Sequence, residues 1–263
     1  MAWFDDIYYF TTGRLRIAHV TDSHLFAQRN GEYFSVNTAV HFSECLADIS
    51  QQDIDCLVFG GDLTQDHSAE SYFLFAQLIA ESPLQCPVFW LPGNHDDIAL
   101  LTRISGGQIQ HHKRLKFNTA EVLLLNSKGP TPAGWVSAQH LNELTDVLTD
   151  NTAPCVCFCH HNPLPINGYL DKHILENGPQ LLNLLVNNGR TQALFHGHVH
   201  NEHQWQFRDL NIYASPASSI QFLKNTAQWQ QQNKGPMYRI VTCNSAGINQ
   251  PFEFSTEVVC LNG

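Results

Sequence analysis

A chain of 263 residues with 43% hydrophobic side chains can build a large core, and no Ser/Gly-rich linker or charge run divides it, so one domain spanning 1–263 is expected. Its formal net charge of -10 disfavours a general nucleic-acid or anionic-membrane surface, since both partners would require basic patches. The start, Met1-Ala2-Trp3-Phe4-Asp5-Asp6-Ile7, carries acidic residues where a leader would be basic, and no apolar stretch approaches the roughly 20 residues of a membrane span; a cytoplasmic protein is expected.

Residues 14–20 read as the first central strand, with 25–35 a polar surface loop. Asn37 caps a helix whose Val40, Cys45, Leu46 and Ile49 share a face, and 56–59 is the next strand. A second helix over 68–80 is predicted to bury Tyr72, Phe73, Ala76 and Ile79, stopping before Pro83. Residues 88–91 form a third strand, while 108–117 and 121–126 are shorter strands suited to a second sheet. After a 129–134 loop, Ser137 caps a helix with Leu141, Leu144, Val147 and Leu148 on one face. A strand ends at His160, and a helix over 179–188 has Pro at its start and Gly189 beyond its end. Residues 194–195 return to the same edge. The tail from about 204 is β-rich, with strands at 204–207, 210–213, 237–242 and 251–259, and 227–233 is a Gln-rich exposed loop or short helix.

Cys45, Cys56, Cys86, Cys155, Cys157, Cys159, Cys243 and Cys260 lie mostly in apolar runs and read as reduced, buried thiols. Cys155, Cys157 and Cys159 alternate along a strand and share a face, but structural zinc sites usually use turn-forming C-x2-C pairs, so core packing is the expectation.

Five apolar runs end in metal-binding or proton-moving side chains: Asp22-Ser23-His24, Gly61-Asp62, Gly93-Asn94-His95-Asp96, His160-His161 and Gly197-His198-Val199-His200. With helices between the strands, these ends share one edge of a sheet, where α/β folds place their ligands. Residues two apart in extended chain point the same way, about 6.5 to 7 Å apart, so one strand end can serve two ions held about 3.5 to 4 Å apart. The Asp62 carboxylate can bridge such ions, and Asn94 and His160 can complete the coordination of the second ion. This donor mixture suits Mn, Fe or Zn, and two such cations leave a net positive hole that attracts phosphate. His19, His41, His67, His111, His112, His140, His173 and His203 read as surface or hydrogen-bonded core residues, and His161 and His196 as neighbours of ligands.

These blocks resemble those of the calcineurin-like metallophosphoesterases, in matching order from residue 17 to 200. The resemblance implies a four-layer α-β-β-α sandwich with a dinuclear site. Asp22, His24, Asp62 and His200 would hold one ion, and Asp62, Asn94, His160 and His198 the other. A narrower likeness, to bacterial class III cyclic-nucleotide phosphodiesterases and their cyclic-AMP-hydrolysing members, is carried by Thr21-Asp22-Ser23-His24-Leu25-Phe26, Val36-Asn37-Thr38, Gly61-Asp62-Leu63-Thr64-Gln65-Asp66, Trp90-Leu91-Pro92-Gly93-Asn94-His95-Asp96, Ser215-Pro216-Ala217-Ser218 and Gly235-Pro236-Met237-Tyr238-Arg239. Asn162 and Met237 depart from residues common in relatives. Gln65 stands where many relatives place an Asp that orients the catalytic His, and Asp66 follows it.

The implied reaction is in-line attack on a phosphodiester, 3′,5′-cyclic AMP or a related cyclic nucleotide, by a hydroxide between the ions, giving the 5′-monophosphate. Asn94, His95 and His200 would contact substrate, and unligated His95 would protonate the leaving oxygen. Gln65, Asp66, Asp96 and His161 would support these groups. Other phosphodiesters, phosphomonoesters or nucleotide pyrophosphates are alternative substrates, and an inactive interaction scaffold a more distant one. The expected partner is a small molecule, with neither nucleic acid nor membrane, and room for a homodimer.

Overall fold

The structure is a computed structural model that describes residues 2–245, 247 and 251–261. Met1 and residues 246, 248–250 and 262–263 of the predicted tail lie outside the described residues. Two large sheets face each other. The first has six strands in the order Glu253–Cys260, Met237–Asn244, Arg14–Val20, Cys56–Phe59, Val88–Trp90 and Ile109–Gln110. From Arg14–Val20 onward its strands run parallel, and the two tail strands are antiparallel. The second has seven, in the order Ile7–Phe10, Arg114–Phe117, Ala120–Leu124, Cys155–Cys159, Thr191–His196, Leu210–Ala214 and His203–Phe207.

Side-chain alternation divides each central strand between two cores. Leu15 and Ile17 point inward with Val58 and Phe89, against Leu115, Val122, Val156, Phe158 and Phe195 of the facing sheet. Ala18, Val20, Leu57 and Phe59 point outward onto the helices Thr38–Ile49 and Ala69–Glu81. On the far side Leu123, Cys155, Cys157, Cys159 and Leu194 pack under the helices Ala138–Asp150 and Gly178–Asn187. The layers are therefore α-β-β-α, as expected. The alternating cysteines are buried core thiols, whereas Cys260 is exposed, against the expectation of burial.

Asn37 and Ser137 cap their helices as predicted, accepting from the Val40 and His140 amides. Two helix faces differ from the prediction. Val40 is 49% exposed and Phe73 43% exposed, while Ala39 and Phe42, and Leu74, Phe75 and Leu78, fill the buried faces. The 108–117 segment divides: Ile109–Gln110 closes the first sheet and Arg114–Phe117 opens the second. Elements not anticipated include the strand Ile7–Phe10, the hairpin of Glu32–Tyr33 with Val36–Asn37 inside the polar loop, the helix Ile98–Ile104, capped by Asp97, and the short 3-10 helix Tyr169–His173. Residues 231–232, within the predicted Gln-rich segment, pair as a strand with Gln221–Phe222.

Candidate metal centre

Strand ends from both sheets meet at one rim, and there the backbone leaves the extended region. Asp22, His24, Asp62, His198 and His200 all have positive φ, between 46 and 67°. The Asp22-Ser23-His24 and His198-Val199-His200 segments are therefore tight loops rather than the extended strand ends expected. Non-glycine residues rarely adopt this conformation, and it clusters at functional sites. Glycine makes the approach possible: a Cβ on Gly93 would lie 2.1 Å from Asp62 Oδ1.

The loops bring the donors together. Asp22, His24 and His200 form one group, Asp22, Asp62 and His160 a second, His24, Asp62 and His95 a third, and His160, His161 and His198 a fourth. Within each group the ligand atoms lie within 4.8 Å of one another. His200 Nε2 is 3.4 Å from Asp22 Oδ1 and 3.1 Å from His24 Nε2, and His160 Nε2 is 3.3 Å from Asp62 Oδ2. Donors bound to one ion at about 2.1 Å stand about 3.0 to 3.4 Å apart, so these separations suit a shared cation. His198 and His200, from one loop, fall in different groups.

The far side of two of these imidazoles is anchored. His160 Nδ1 meets the Gly60 carbonyl at 2.8 Å and His200 Nδ1 the Ile220 carbonyl at 2.7 Å, which turns both Nε2 lone pairs inward. Asp22 Oδ1, Asn94 Oδ1, His160 Nε2 and His198 Nε2 are buried atoms without a hydrogen-bond partner. Such atoms are costly unless something binds them, and a divalent cation matches their chemistry. The residues present thus fit the metal ions that the donor set implied.

Burial favours neutral acids and neutral imidazoles, and the site opposes it for the carboxylates. Burial raises the Asp22 carboxyl, but His200 and His160 beside it outweigh that and hold it well below the usual range. Asp62 is likewise held low against burial, by His160 and His95. Burial, reinforced by neighbouring imidazoles, lowers His24 and His198 to about 3, leaving their lone pairs free for metal near neutrality.

Asp96 accepts from the Asp62, Leu63 and Gly93 amides, each at 2.8 Å, and ties two loops together. His95 donates its amide to Asp62 Oδ1 at 2.9 Å, and its ring stands edge-on to His24 and stacks on His67, with centroids 5.0 Å apart in both cases. Asp66 accepts from the amides of Ala27 and Ser68 and the Ser68 hydroxyl, not from His95, and the buried Gln65 Oε1 has no partner. The residue packed on His95 is instead His67, whose Nδ1 meets the His95 carbonyl at 3.0 Å. His161 is fixed by Ser127 Oγ at its Nδ1.

Several supports escape a reading of the motifs. Ser127 Oγ accepts from the His160 and His161 amides, and Lys128 Nζ donates to the Asn94 carbonyl at 2.8 Å. Thr38 Oγ1 holds the His24 carbonyl, and Ser218 and Ser219 hold those of Thr21 and Asp22. Only Thr38 and Ser218 lay in stretches that the sequence marked.

Comparison with known proteins agrees with this geometry. The calcineurin-like phosphoesterase family matches residues 15–202. A probable cyclic nucleotide phosphodiesterase of Pseudoalteromonas sp. (strain SM9913) is 62% identical over 262 residues, 100% of each chain. The 3′,5′-cyclic adenosine monophosphate phosphodiesterase CpdA of Escherichia coli (strain K12) is 32% identical over 89% of this chain and 87% of its own. The crystal structure of a dimetal phosphatase from Danio rerio superposes with a TM-score of 0.62 at 11% identity, covering 94% of this chain and 98% of that one, and so shares the fold. Matched over most of its length, the chain belongs to the calcineurin-like phosphoesterases, hydrolases of phosphoesters whose family uses divalent metal ions.

Proposed function

We propose that the protein is a dinuclear-metal phosphodiesterase that hydrolyses 3′,5′-cyclic AMP or a related cyclic nucleotide to the 5′-monophosphate. The observation that carries this reading is the convergence of inward-facing, unpartnered donors from both sheets around the Asp62 carboxylate. Relatives named as cyclic nucleotide phosphodiesterases at 62% and 32% identity support the choice of substrate.

Asp22, His24, Asp62 and His200 would hold one ion and Asp62, Asn94, His160 and His198 the other, with Asp62 shared; Fe, Mn or Zn fits the donors. When bound, the ions supply positive charge for the phosphate and an activated water for attack on phosphorus. The chain's own work is placement. Asp96 fixes the loop amides around Asp62, and Lys128 holds the Asn94 backbone. Asn94, His95 and His200 face the phosphate. His95, half-buried at the rim with no partner on its buried Nδ1, gives a proton to the departing 3′ oxygen of the ribose. The whole chain acts as one domain, because the tail strands extend both sheets of the 14–203 region. Buried, unpaired thiols suit a reducing cytoplasm, and no helix among the described residues is long and apolar enough to cross a membrane.

The test is a substrate panel on protein loaded with Mn, Fe or Zn. Hydrolysis of 3′,5′-cyclic AMP to 5′-AMP should outpace that of 2′,3′-cyclic AMP, an aryl phosphodiester and an aryl phosphomonoester. A preference for the monoester, or no turnover of the cyclic nucleotide with any metal, would contradict the reading.

A further inference from the structure

An aromatic circuit leads from the metal-binding imidazoles to solvent. His24 stacks on Tyr33 with centroids 4.9 Å apart, and Tyr33 touches Phe34 at 4.7 Å. On the other side His200 stacks on Phe222 at 4.3 Å, and Phe222 touches Trp229 at 4.5 Å. Phe34 and Trp229 then meet at 5.9 Å, and His24 and His200 at 5.0 Å, which closes the loop of six rings.

The two outermost rings are presented at a cost. Phe34 and Ser35 form the two-residue turn of the Glu32–Tyr33 and Val36–Asn37 hairpin, both with positive φ, a turn that normally selects Asn-Gly. A bulky residue there is rare, and it leaves Phe34 43% exposed. Trp229, carried between Gln221–Phe222 and Gln231–Gln232, is 37% exposed and braced edge-on by Tyr169 at 5.0 Å. Two separate hairpins therefore hold large, uncharged ring faces beside one another.

Resting on the cyclic-nucleotide reading above, we infer that Phe34 and Trp229 form the platform on which the substrate's nucleobase stacks. Each exposed ring is two ring contacts from an imidazole of the metal centre, the reach from a nucleotide's phosphate across its ribose to its base. A flat, neutral heterocycle matches two uncharged ring faces, and stacking on aromatic side chains accepts any base. Tyr33 and Phe222 connect the platform to His24 and His200, so they position the rim rather than contact the base.

The test compares 3′,5′-cyclic AMP with methyl riboside 3′,5′-cyclic phosphate, which has the same reacting ring and no base, using Mn-loaded full-length protein. The wild-type KM ratio of base-free compound to cyclic AMP should be about 10 to 100, falling about 5-fold or more in Trp229→Ala, with metal content held. Phe34→Ala should lower the ratio in the same direction, and Trp229→Phe should restore most of it. Equal KM values for both compounds in the wild type would overturn the platform while leaving the phosphodiesterase reading intact, as would a Trp229→Ala shift common to both. So would a dimer that dissociates in Trp229→Ala, since a second chain would then occupy this face. Failure of the wild type to hydrolyse either compound would remove the substrate reading and the platform with it.

Discussion

Asp62 lies between imidazoles from different strand ends: its Oδ2 lies 3.3 Å from His160 Nε2 and 3.9 Å from His24 Nε2, and its Oδ1 accepts from the His95 amide. Asp62→Asn keeps the shape but removes the charge, so bound metal should drop below two per chain and kcat/KM should fall at least about 100-fold, measured by metal analysis and steady-state kinetics. The proposed reaction gives His95 a different part. His95→Ala should cost about 10²- to 10⁴-fold in kcat with metal content unchanged, and loss of metal instead would make His95 a ligand. The donors were legible at this scale because Asp, Asn and His in short blocks after apolar runs carry a chemistry that spacing exposes. Their left-handed backbone was not, since neither Asp22 nor His200 signals positive φ as a glycine would.

Elements were readable where caps and periodicity agreed, as at Asn37 and Ser137. Removing the first cap by Asn37→Ala should lower unfolding stability by about 1 kcal/mol in urea titration. Helix faces failed where apolar residues ran all round: in Ala69–Glu81, Tyr72, Phe73, Leu74 and Phe75 are consecutive, and only the packing against the first sheet selects three of them. The helix Ile98–Ile104 was too short for periodicity to show, although Asp97 is an ordinary cap. Strand pairing at a distance was beyond reach too. Buried Glu121 takes up Arg114 at 3.0 Å and Arg190 at 3.3 Å from separate elements, which no local pattern announces. Glu121→Ala leaves Arg190 with backbone carbonyls but no carboxylate and Arg114 with Asp150 alone, and should cost about 3 kcal/mol of stability by the same titration.

For the molecule as a whole, two sheets from distant stretches of chain become one rim, and its imidazoles are matched by others kept neutral in the core. Burial lowers His19 to about 3 and His140 to about 4, each below the unfolded value near 6.5. A depressed histidine contributes stability above about pH 6.5 that is lost as pH falls toward the folded value, at about 1.4 kcal/mol per pH unit for each group. Thermal scans of metal-free protein should therefore show a melting temperature that falls from pH 7.5 to 5, and less steeply in His140→Gln. The central claim is that two cations share the Asp62 carboxylate between the sheets. Anomalous scattering from crystals soaked in Mn should show two peaks about 3.5 to 4 Å apart, one beside His24 and His200 and one beside His160 and His198. A single peak, or two peaks that leave Asp62 uncoordinated, would contradict it.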